Sequence, residues 1–100
     1  MTKNIRIPGT FTGSDILIPA NRIVTVNELV VNQSMVVVID GVTGFQSFTF
    51  LFSEFNQDVI EYNMKFWLMK NVQRVLVSNW TTNIFEATEP PCSILLVQAN

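Results

Sequence analysis

Phe55 to Asn79, FNQDVIEYNMKFWLMKNVQRVLVSN, decides how the rest of the chain can fold. At about 100° per residue it predicts one helix of about seven turns with two apolar stripes. Ile60, Met64, Trp67, Leu68, Val72 and Val75 share one side, while Val59, Tyr62, Phe66, Met69 and Val77 lie nearly opposite. A single sheet can cover only the first stripe, so the second must meet another layer or another chain.

Local chemistry supports a helix. Asn56 is placed to cap it, Asp58 and Glu61 put negative charge near its N-terminus, and Phe55 can pack on Ile60. Lys70 and Arg74 fall toward the other end, and Glu61 with Lys65 is ordered for an i,i+4 pair. Propensity argues the other way, because Val, Phe, Trp and Asn are mediocre helix formers.

Outward from the helix, the chain reads as strands. Asn4 to Ile7 and Asp15 to Ile18 are short β-prone runs, each stopped by proline, which suits edge strands or an arm. Arg22 to Val26 predicts a strand interrupted by a turn or bulge at Asn27-Glu28, before Leu29 to Val31. The apolar run Met35 to Ile39 predicts a central strand covered on both faces. Asp40-Gly41-Val42-Thr43-Gly44 is a turn, and Phe45 to Phe52 then places Phe48, Phe50 and Phe52 on a face expected to pack beneath the helix. After Trp80 closes the helix and Thr81-Thr82-Asn83 turns, Ile84 to Ala87 and Ser93 to Gln98 read as strands on either side of Pro90-Pro91. The expected fold is α+β: one domain over residues 1–100, a largely antiparallel β-sheet with one long α-helix packed across one face.

Composition limits function. Only 14% of residues are charged against 48% hydrophobic. That balance suits a surface covered by neighbours in an oligomer or a larger assembly. Six scattered basic residues and a net charge of −2 leave no dense positive patch for nucleic acid. No run is long and apolar enough for a membrane span and Met1 to Arg6 lacks a secretory core, so the expectation is a protein made in the cytoplasm and not secreted.

Catalytic chemistry is poorly supplied. Histidine is absent, removing the usual general base and the usual transition-metal ligand together. Cys92 is single, and a structural role asks less of it than a nucleophilic one. Asp58 with Glu61 is better explained by capping than by acid/base work, and Asp40-Gly41 lacks the later oxygen donors of a calcium loop. The expectation is no enzyme, no cofactor and no metal. Tyr62, Phe66, Met69 and Trp80 are the candidates for contact with a partner chain.

From Asp58 onward, a helix runs into Ser78-Asn79-Trp80-Thr81, followed by a short strand, the Pro90-Pro91 turn and the ending Ser93-Ile94-Leu95-Leu96-Val97. This pattern resembles small virion-associated proteins of tailed bacteriophages, particularly marine ones, and departs from them in the bulky helix face at Phe66-Trp67. The resemblance implies a virion component such as a capsid decoration protein, self-associating as a homo-oligomer or bound to a shell protein. The alternative reading is a small binding module with an aromatic ligand pocket.

Overall fold

Alternating isoleucines build the first two strands. In the computed structural model, which describes residues 3–7, 16–55, 63–77 and 84–99, β1 (Asn4–Ile7) pairs antiparallel with β2 (Ile16–Pro19). Ile5 stands opposite Ile18 and Ile7 opposite Ile16, and all four side chains are buried. A strand introduced late in the chain, β6 (Ile84–Glu86), adds in parallel to the other side of β1, giving the order β2-β1-β6. The first strand is therefore central, contrary to the expectation of an edge or arm. The proline after it removes only its own N-H, so residues 4–7 keep every donor the two ladders need. β2 does lie at an edge, where Pro19 is tolerated.

The second sheet is antiparallel throughout, in the order β3 (Ile23–Val30), β4 (Ser34–Gly41), β5 (Gly44–Ser53), β7 (Ser93–Ala99). The chain thus forms two sheets where its sequence predicts one. β3 makes no turn at Asn27-Glu28 and continues to Val30; the expected bulge takes the form of a register shift between Glu28 and Val30, with another between Ile23 and Thr25. The reversal comes at residues 31–33, where Asn32 adopts φ 57°, a left-handed conformation that asparagine tolerates better than most residues. The β4–β5 hairpin matches its turn signal, with Gly41 opposite Gly44 across Val42 and Thr43. A Cβ on Gly41 would come within 2.9 Å of the Gly44 carbonyl oxygen, and Gly44 itself has φ 130°.

One hydrophobic core joins both sheets to the helix. Met35, Val37 and Ile39 of β4, Phe50 and Phe52 of β5, and Ile94 of β7 face it. Val36 and Val38 are only half-buried, because no described element covers the opposite face of this sheet. That corrects the expectation that β4 is covered on both sides.

The helix α1 (Met64–Val77) spans 14 residues and starts later than the sequence suggests. Phe55 is not helical, and the Asn63 side chain accepts the Phe66 N-H at 3.0 Å, as an N-cap does. The Met64 N-H donates to the Asn32 side chain at 2.9 Å. The expected cap Asn56 and the residues Asp58, Val59, Ile60 and Glu61 lie outside the described residues. Met64, Trp67, Leu68, Val72 and Val75 are buried, as the inner stripe requires. The helix runs closest to β1, β3 and the 3-10 turn at Ala20–Arg22. At its far end the Lys3 ammonium donates to the Val75 carbonyl at 3.3 Å, where the helix dipole favours a cation.

Candidate interaction surface

The outward side of α1 carries the side chains expected to meet a partner. Phe66 is 59% exposed, and Met69, Leu76 and Val77 are exposed as well. Spacings of three, ten and eleven residues from Phe66 put them along one stripe. Leu76 was not among the residues expected there, although its position seven after Met69 is the signal that finds it. Tyr62 and Trp80 lie outside the described residues. Lys70 holds its ammonium 4.6 Å from the centre of the Phe66 ring, so the apolar stripe carries a positive charge with it. Lys65, Lys70 and Arg74 all belong to α1, which contains no Asp or Glu.

Beneath this surface the helix is held by one buried polar side chain. The Asn71 amide donates to the Trp67 carbonyl at 2.9 Å and to the Thr88 hydroxyl at 3.1 Å. Its oxygen accepts from the Thr88 N-H at 3.0 Å and from Arg74 at 3.1 Å. Arg74 also donates to the Glu86 carbonyl at 2.6 Å, so two adjacent helix turns are tied to the segment leaving β6. The outer stripe is thereby presented on a fixed support.

Cys92 is buried and its thiol donates to the Met64 sulfur at 3.5 Å. Burial pushes its pKa up to about 11, so the thiol is neutral at ordinary pH and a poor nucleophile. Glu86 belongs to a strand and pairs with Arg6 at 2.8 Å, so it shares no helix face with Glu89. Among the described residues no group of three or more Cys, Asp or Glu is placed to hold a metal ion. No described helix is long and apolar enough to cross a membrane.

No known protein family, curated protein or solved structure matches this chain.

A second surface, which no described element covers, lies on the four-stranded sheet. In an antiparallel pair, facing residues point to the same side. Val36 with Thr49, Val38 with Ser47 and Leu51 with Leu95 therefore share the outer face. The alternation of Ser47, Thr49 and Leu51 between phenylalanines is the sequence signal for it. β3, β4, β5 and β7 contain no Lys or Arg, and their only charged residues are Glu28 and Asp40. Asp40 is at one end of the outer face, and at the other Glu54 accepts a 3.1 Å hydrogen bond from Ser93. A cleft of about 450 Å³ opens there, lined by Leu51, Leu95, Phe52, Ser53, Gln33 and Ser34.

Three further clefts have volumes of about 340 to 510 Å³, and one of them runs between β3 and the Lys65, Met69, Val72 and Leu76 side of the helix. None of the four gathers more than one aromatic side chain.

Proposed function

We propose that this chain is a non-enzymatic structural subunit of a larger assembly, joined to copies of itself or to a shell protein through the outer stripe of α1. The observation that carries this reading is the apolar row Phe66, Met69, Leu76 and Val77, left exposed on a helix whose opposite stripe is fully packed. Exposed rows of this kind lose water on association, and aromatic anchors contribute most of the gain. The resemblance to small phage proteins gives the assembly its setting: a virion component such as a capsid decoration protein, made in the host cytoplasm and incorporated into the particle. The low charge of the chain suits a molecule whose surface is covered in use.

Replacing Phe66 by Asp tests the reading. Light scattering coupled to size exclusion is expected to show association of the wild type at micromolar concentration and a monomeric, folded Phe66→Asp variant. A wild type that stays monomeric would end self-assembly as the explanation. Unfolding of the isolated variant would make the stripe ordinary core.

A further inference from the structure

We infer that the outer face of the four-stranded sheet is the receptor for α1 of a second copy, with Phe66 and Lys70 of one molecule seated on Leu51, Leu95 and Glu54 of the next. This deepens the self-assembly reading and rests on it. Sheets and helices are each stable when their apolar faces are covered, and the described elements leave one face of each uncovered. The charges are complementary: α1 carries Lys65, Lys70 and Arg74 without an acid, whereas the outer face of the sheet has Asp40 at one end and Glu54 at the other, with no Lys or Arg in its strands. Every copy bears both faces, so a second copy supplies what each lacks and no other partner is needed.

The local match is closest at the Leu51–Leu95 cleft. Its volume of about 450 Å³ exceeds what one aromatic ring needs, since a cavity of about 150 Å³ holds benzene. Glu54 directly follows Ser53 of the cleft lining and is joined to Ser93, and Lys70 accompanies the Phe66 ring on the helix. Ring and cation on one molecule thus meet leucines and carboxylate on the other. Burying the ring supplies the attraction, and the charge pair sets the orientation.

A charge swap read by sedimentation at micromolar concentration tests the pairing, with circular dichroism to confirm the fold of each variant. Glu54→Lys and Lys70→Glu are each expected to weaken association about tenfold by replacing attraction with repulsion. Combining them is expected to restore wild-type association, and Leu51→Asp to abolish it. Glu54 and Lys70 are exposed, so the swap decides the matter even if Leu51→Asp unfolds. If the wild type associates but neither single change weakens it, or the double variant is no better than the singles, this docking is overturned while self-assembly stands. A wild type monomeric at every concentration overturns both.

Discussion

Asn71 is the only buried polar or charged residue among those described, and it uses both ends of its amide. A buried side chain that satisfies four partners leaves several of them stranded when removed. Asn71→Ala is expected to cost about 2–3 kcal/mol in urea unfolding, well above an exposed change on the same helix such as Gln73→Ala. Nothing local in the sequence marks Asn71, because Thr88 is 17 residues away and the pairing exists only once the helix has docked. Cys92 makes a pH prediction. The unfolded thiol ionises near its ordinary value of 9.0, whereas the buried one holds its proton to about 11. Its contribution to stability is complete below pH 9 and is lost as pH rises to about 11. Urea midpoints across that window should fall more steeply in the wild type than in Cys92→Ala. A parallel decline in both would assign the loss to other groups.

The elements show where pattern suffices and where it fails. The inner stripe of α1 was legible because Met64, Trp67, Leu68, Val72 and Val75 follow the helical period, and period is set by backbone geometry alone. The helix start was not, because it depends on Asn63 and on Asn32 in a distant hairpin. Several asparagines could serve as caps, and only the tertiary arrangement chooses among them. Asn32 serves two elements, since its left-handed backbone makes the β3–β4 turn while its side chain holds the first helical N-H. The two roles separate by substitution. Asn32→Gly keeps the turn and loses the cap, whereas Asn32→Ala loses the cap and strains the turn. Thermal unfolding should place Gly about 1 kcal/mol below wild type and Ala below Gly by a similar amount. Equal losses would show that the backbone at Asn32 carries no strain.

At the scale of the molecule, the α+β class was legible from one helix among short strands, but the division into two sheets was not. The β1–β6 pair has no local signal, and the single-sheet expectation followed from reading the early strands as edges. The candidate surface was legible at Phe66 and Met69, while the uncovered face of the sheet was missed because the run Met35 to Ile39 looks apolar on both sides. A molecule whose association covers such surfaces is stabilised by its own concentration. The unfolding temperature of the wild type should rise with protein concentration, and that of Phe66→Asp should stay constant. The parallel pair also governs timing. Arg6 of β1 meets Glu86 of β6 across 80 residues of chain, and at ribosomal speeds of about 5–20 residues per second that separation takes about 4–16 s to synthesise. Once β2 has emerged, the nascent β1 can be paired on one side only, and its other row of amides stays open until β6 is made, which leaves the newborn chain prone to stray pairing for most of that interval.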